Sequence, residues 1–400
     1  MALTGLDIYK LLPKTNCKKC GRPTCLAFAM QLAQKKANLS DCPDVSEDAK
    51  KVLGAAAEPP IKLVTIGSGA KKVEIGQENV LFRHEEKFYH PTGVAVTIND
   101  DLSDEAFSDR LKKLNSLKIS RVGTEIEIDL VAIINKSNNA EKFAEAAKKV
   151  SNGSHLSIIL SSTSVENMKA ALSNCAEKRP LIHGANSQNC EAMAALAKEK
   201  DCPMTVTAPT LEELADLTEC VKKAGVGEIM MDVSGNNPKE VLQKLTKIRR
   251  AALKKNFRSL GFPMITFVCD DDPFQEISLA STYLVKYAGI VAVNTCEPWG
   301  IMPLLTARAN IFTDPQKPIQ VEPKLYAVGD VKEDSPVLFT TNFSLTYYTV
   351  EGEVEGSRIP AYILSVDTGG TSVLTAYSGD KLNDKVVAKA MADAQVETKV

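Results

Sequence analysis

Four cysteines near the start of the chain carry the strongest chemical signal in the sequence. Cys17, Cys20 and Cys25 lie in the stretch TNCKKCGRPTC, and Cys42 follows in DCPD, giving the spacing Cys-x2-Cys-x4-Cys-x16-Cys. Thiolates are soft ligands that suit iron–sulfur clusters and zinc. Three of these thiols sit on one compact loop that can wrap a single cluster. Structural zinc sites more often pair two separated Cys-x2-Cys knuckles, and no second knuckle follows here. Pro43 directly follows Cys42, as proline often follows the last cysteine of bacterial cluster loops. Gly21 allows a tight turn that aims backbone N–H groups at sulfur. The spacing therefore favours a 4Fe–4S cluster, with zinc or unliganded thiols as the alternatives. Cys175, Cys190, Cys202, Cys220, Cys269 and Cys296 are scattered through apolar segments and read as small buried hydrophobes.

Other chemistry-bearing residues are fewer. The four histidines are His84, His90, His155 and His183, so nothing after His183 can offer an imidazole to a metal. No paired acid and base, Ser–His–Asp set or His-rich metal site is readable. Two stretches have the character of ligand loops. DTGGTS (Asp367–Ser372) offers Gly369 and Gly370 for close backbone approach and the hydroxyls of Thr371 and Ser372, and a plain polar turn is the competing reading. TTNFSLTYY (Thr340–Tyr348) has the same character. Both follow strand-like runs, and ligands of α/β sheets collect at the carboxyl ends of strands. CDDDP (Cys269–Pro273) reads as the N-cap of a helix. The basic run Lys247–Arg258 reads as a solvated helix face, with a docking patch for an acidic partner as the alternative.

The elements that must position these residues are legible in outline. The chain has 400 residues, 44% of them hydrophobic and 24% charged, enough apolar material for two or three domains. A formal net charge of −2 gives no reason to expect nucleic acid or a membrane surface as partner. No run approaches a membrane span and no signal peptide is evident, so a cytoplasmic protein is expected, a setting that argues against disulfides. A helical turn over Leu6–Leu12 and a helix over Cys25–Ala37 flank the cysteine loop. Leu26, Ala29, Met30 and Ala33 are expected on that helix's common face. A short helix is expected before Pro59–Pro60. Eight strand-like runs then alternate with helical stretches: Val94–Asn99, Asp129–Asn135, Leu156–Ser161, Leu181–Gly184, Met204–Ala208, Ile229–Asp232, Ile265–Cys269 and Ile290–Asn294. Eight is the number that closes a (β/α)8 barrel, and an open doubly wound sheet is the runner-up. Strands at Pro336–Thr340 and Ala361–Val366 and a terminal helix from about Lys381 read as a small α/β unit that is unfinished, with few strands and no closing element.

Taken together, LTGLDIYKLLPKTNCKKCGRPTCLAFAMQLA, the barrel-like middle and FTTNFSLTYYTVEGEVEGSRIPAYILSVDTGGTSVLTAY resemble the family of large (gamma) subunits of the corrinoid/iron–sulfur protein of the anaerobic acetyl-CoA (Wood–Ljungdahl) pathway. The resemblance covers essentially the whole chain. It implies a 4Fe–4S cluster domain over residues 1–59, a TIM (β/α)8 barrel over 60–325 and a corrinoid-binding domain over 326–400, expected to be incomplete at residue 400. It implies that Cys17, Cys20, Cys25 and Cys42 ligate the cluster. Thr340, Thr346, Gly370, Thr371, Ser372 and Val373 are implied to line a cobamide. The implied role is methyl carrier within a corrinoid-dependent methyltransferase system. The cobalt takes a methyl group from methyltetrahydrofolate through a methyltransferase and passes it to acetyl-CoA synthase, and the cluster returns inactive Co(II) to Co(I). A small subunit is implied as heterodimer partner, and a reductive activator or ferredoxin as electron donor. Without histidine in its C-terminal part, the chain offers no imidazole to cap the cobalt, which favours Co(I). Serving several partners implies a mobile C-terminal unit, with a hinge expected near Asp330–Ser335. An iron–sulfur electron-transfer module without corrinoid is the alternative function.

Overall fold

The computed structural model describes residues 5–33, 37, 39–46, 49, 59–121, 123–268, 270–314 and 318–396. The short helix expected before Pro59 lies largely outside these residues, as does Cys269. The described residues form two compact units, one of residues up to 81, 89–116 and 128–308, the other of 82–88, 117–127 and 309 onward.

The first unit opens with helices α1 (Gly5–Leu11) and α2 (Cys25–Ala33) on either side of the cysteine loop. Their shared core holds Ile8, Leu12, Cys25, Phe28, Ala29, Cys42 and Val45. The buried face of α2 is thus Cys25–Phe28–Ala29, while Leu26 and Met30 are exposed. This corrects the expected face: turning Cys25 inward rotates the helix by about one residue. A hairpin of β1 (Leu63–Ile66) and β2 (Val73–Gly76) follows. At Gly76 (φ +102°) a Cβ would stand 2.1 Å from the Lys62 carbonyl, so only glycine fits.

A closed parallel barrel comes next. Its strands are β3 (Gly93–Asn99), β6 (Leu130–Ile134), β7 (Ser157–Ser161), β8 (Leu181–Ala185), β9 (Met204–Thr207), β10 (Ile229–Asp232), β11 (Met264–Val268) and β12 (Ile290–Val293). All eight expected runs become barrel strands, and β12 closes on β3 through Ile290–Gly93 to Val293–Val96. These strands are buried on both faces, which is why they read as unbroken apolar runs. The helices between them are α3 (Asp104–Asn115), α4 (Ala140–Gly153), α5 (Val165–Cys175), α6 (Cys190–Glu199), α7 (Leu211–Ala224), α8 (Pro238–Lys255), α9 (Pro273–Val285) and α10 (Pro298–Ile311). Many start on side-chain caps, among them Ser103, Asn139, Ser164, Thr210, Asn237 and Asp272. Asp272 accepts from the Phe274 N–H, which is the N-cap expected of CDDDP. The β1–β2 hairpin plugs the end of the barrel where strands begin, packing Val64, Ile66 and Ile75 against Leu130, Ile159, Leu181 and Ile290.

The second unit holds a hairpin of β4 (Lys118–Arg121) and β5 (Thr124–Glu127) and a three-stranded sheet. The sheet order is β13 (Leu325–Val328), β15 (Ala361–Val366), β14 (Val337–Thr341), with β14 parallel and β13 antiparallel to β15. Helix α11 (Ser344–Ser357) covers one face, while α12 (Val373–Ser378) and α13 (Asp384–Asp393) cover the other. Asp330–Ser335 joins two strands of this one sheet, so a hinge there would split the sheet, and the expected hinge position is corrected. No described helix is long and apolar enough to cross a membrane.

Candidate functional site

The cysteine loop draws its four thiols toward one small core. Cys25 and Cys42 are buried in it, Cys20 packs against it half-buried, and Cys17 is exposed. The loop achieves this with left-handed backbone at Lys14, Asn16, Lys18 and Gly21. Asn16 is its clamp: the side-chain Oδ1 accepts from the Cys25 N–H at 2.8 Å, and the Asn16 N–H points at Cys25 Sγ, 3.4 Å away. The Cys17 thiol lies 3.6 Å from Asp44, whose carboxylate also pairs with Lys19 at 3.1 Å. Among the described residues, no three His, Cys, Asp or Glu side chains stand close enough to hold a single ion. A four-iron cube takes one thiolate per corner and spreads its ligands wider than a lone ion does. The thiols are nonetheless near enough to feel one another. Burial pushes the Cys42 thiol up, and Cys20, Cys17 and Cys25 push the same way against a backbone hydrogen bond by Asp44.

The second site lies where β14 and β15 end. Thr340 pairs with Ser365 and Thr341 with Val366, so both following loops leave the same sheet edge. Asn342 is fully buried between them. Its Oδ1 accepts from the Thr368 and Gly370 N–H groups, both at 3.0 Å, and from the Thr368 hydroxyl at 3.2 Å. Its Nδ2 donates to Gln320 at 3.0 Å and to Asp367 at 3.2 Å. Gly370 (φ +71°) lies against Gln320, where a Cβ would stand 2.6 Å from that side chain. Thr371 donates its hydroxyl to the Thr368 carbonyl, and Ser372 shares a hydrogen bond with Thr375 at the start of α12. Thr346 sits half-buried in the first turn of α11, because the expected loop becomes helix from Ser344. Val373 is the first residue of α12 and is exposed, as are Leu345, Leu374 (80%) and Tyr377 (73%). The Thr341 and Ser365 hydroxyls are buried without a hydrogen-bond partner. Spare hydroxyls and glycine backbone beside exposed apolar side chains suit a large, partly apolar ligand with polar edges.

The barrel holds a set that sequence reasoning missed. The strand ends bring Ser161, His183 and Asp232 together: His183 Nδ1 lies 2.9 Å from Ser161 Oγ, and Nε2 lies 3.0 Å from Asp232. Ser234 donates to the same carboxylate through N–H and hydroxyl, and Phe267 packs on the imidazole at 4.5 Å. Burial works to raise the Asp232 pKa, but the His183 and Ser234 hydrogen bonds outweigh it and hold the carboxyl below its ordinary value. Its ionised form therefore contributes stability above the ordinary carboxylate range, and that contribution fades as pH falls through the lowered folded value. Asp232→Asn should cost the barrel about 2 kcal/mol at neutral pH. Paired thermal melts check this: the gap between variant and parent should narrow below about pH 4.

A family model described as CO dehydrogenase/acetyl-CoA synthase delta subunit matches residues 63–400, and one for an Fe-S cluster matches residues 12–43. The chain is 44% identical, over its full length and 90% of the relative, to the corrinoid/iron-sulfur protein large subunit of Moorella thermoacetica. It is 37% identical to the acetyl-CoA decarbonylase/synthase complex subunit gamma of Methanothermobacter thermautotrophicus, again over the full chain and 90% of the relative. The same subunit of Methanopyrus kandleri is 35% identical over the full chain and 88% of its own length.

Proposed function

Because the chain belongs to the family of corrinoid/iron–sulfur protein large subunits of the acetyl-CoA pathway, we propose that it holds a 4Fe–4S cluster on Cys17, Cys20, Cys25 and Cys42 and a cobamide at the loops around Asn342. The supporting observation is that one chain carries both a four-thiol head and two hydroxyl-bearing loops, one of them with paired glycines, tied by a single buried asparagine. A corrinoid held there would supply the methyl-carrying chemistry between methyltetrahydrofolate, through a methyltransferase, and acetyl-CoA synthase, and a cluster held by the four thiols would supply it with single electrons drawn from an external reductant.

The chain's own residues bind and position. Thr340, Thr346, Gly370, Thr371, Ser372 and Val373 line the ligand, with Gly370 giving the backbone its close approach. Leu374 and Tyr377 offer apolar cover. The Asn16 N–H directed at Cys25 Sγ is a means of tuning cluster potential, since hydrogen bonds to sulfur stabilise the more negative state. Residues 1–59, 60–325 and 326–400 act as cluster head, barrel and corrinoid unit. A small subunit completes a heterodimer, and a methyltransferase, acetyl-CoA synthase and a reductive activator or ferredoxin visit it.

Visible absorbance of the purified heterodimer tests this reading. Broad absorbance that bleaches on reduction, joined by sharper bands that change with cobalt state, is expected. Bleachable absorbance alone would leave an electron-transfer module without corrinoid, and a colourless protein would leave zinc.

A further inference from the structure

Helix α8 carries cations that none of the sites above uses. Lys239, Lys247, Arg250, Lys254 and Lys255 are exposed along it, and among the described residues none has an ion-pair or hydrogen-bond partner for its side chain. Elsewhere on the surface lysines are commonly paired, as Lys72 is with Glu74 and Lys149 with Asp104. Beneath these cations the surface is apolar. A groove of about 690 Å³ runs between α7 and α8, floored by Leu211, Ala215, Ala251, Phe257 and Leu260 and rimmed by Lys247, Arg250, Lys254 and Lys255. Phe257 is 46% exposed at its end, positioned by the left-handed Asn256 (φ 51°) that stops α8. A second hollow of about 640 Å³ lies nearer the start of α8, lined by Lys239, Leu242 and Gln243 and sharing Thr246 and Lys247 with the first.

We propose that this groove docks an acidic amphipathic helix of the protein with which the chain assembles. The proposal rests on the reading of the chain as one subunit of a larger complex. Two parallel helices present a groove that accepts the ridge of a third. The apolar floor rewards leucine, methionine or aromatic side chains, and Phe257 has the character of an interface anchor. The unpaired rim selects carboxylates on the flanks of that helix, and brings the partner in by electrostatic steering. A nucleic acid fits less well, because its phosphates gain nothing from the apolar floor.

Zero-length carbodiimide coupling of the reconstituted assembly, the chain with its small subunit and acetyl-CoA synthase, tests the proposal. Mass spectrometry should find Lys247, Lys254 or Lys255 joined to aspartates or glutamates on one partner helix. The double variant K247E/R250E should weaken association with that partner about tenfold or more and flatten its salt dependence. Phe257→Ala should weaken association without changing the salt dependence. Both variants replace exposed side chains, so their thermal melts should match the parent. Absence of such couplings, or unchanged association by K247E/R250E, would overturn the proposal. So would preferential, variant-sensitive binding of mixed-sequence RNA or phosphatidylserine vesicles. Iron and cobalt measured on the same samples keep the two readings apart: a failed docking test with both metals retained leaves the cofactor assignment standing.

Discussion

Cys20→Ala should abolish reactivation of oxidised protein while leaving methyl transfer by already reduced protein intact. Cys20 is half-buried at the edge of the head core, so its loss removes little apolar packing and the head keeps its two helices. The cluster, however, loses one of four thiolates. A 4Fe–4S centre holding three protein ligands is labile and shifted in potential. After deliberate oxidation, recovery with a physiological reductant should fall at least ~100-fold relative to the parent, since losing a group that merely hydrogen-bonds a metal's ligand already costs about 10–100-fold in metal affinity. Cobalt content should stay unchanged, because the loops proposed to hold the cobamide lie some three hundred residues away in sequence and share no residue with the head. Single-turnover methyl transfer after chemical reduction, set beside recovery after oxidation, separates the two steps. Loss of the methyl step itself would mean that the cluster has a role other than repair.

Asn342→Ala should cost the C-terminal unit about 2–6 kcal/mol and with it most of the retained corrinoid. Asn342 is fully buried and makes five side-chain hydrogen bonds that join the two loops. Alanine leaves the buried Thr368 and Gly370 N–H groups without an acceptor, at about 1–3 kcal/mol each. It also frees Gly370, whose left-handed backbone is held against Gln320 by that bond. Asn342→Asp sharpens the test. It keeps the acceptor for both N–H groups but sets a carboxylate where Nδ2 donated to Asp367 at 3.2 Å. The aspartate variant should lie between parent and alanine, and should recover as pH falls and the two carboxyls protonate. Denaturant unfolding of the C-terminal unit and cobalt retained after gel filtration are the measurements. Corrinoid retained at parental levels by the alanine variant would remove the loop junction from the site.

The barrel was legible because parallel strands buried on both faces write continuous apolar runs. Ile290–Val293, for example, reads IVAV. The four cysteines were legible because their ligand chemistry is confined to a short, unusual spacing. Other features were hidden for physical reasons. Helix α11 contains Gly352, Gly356, two tyrosines and several β-branched residues, so its intrinsic preference is weak and burial of Tyr347 decides its form. Asn342 looks like any asparagine in a polar stretch, and its role exists only once β14 and β15 pair. Ser161, His183 and Asp232 are separated by 22 and 49 residues, and only the barrel register unites them. The short strands β1, β2, β4, β5 and β13 have too few residues for period-two alternation or an apolar run to stand out.

The central claim is that one chain holds an electron-carrying cluster and a methyl-carrying corrinoid. Metal analysis for iron, cobalt and zinc together, on heterodimer purified without oxygen, tests it most directly. The account predicts about four irons and about one cobalt for each copy of this chain, with zinc near background. Stoichiometric zinc in place of iron, or iron without cobalt, would contradict it.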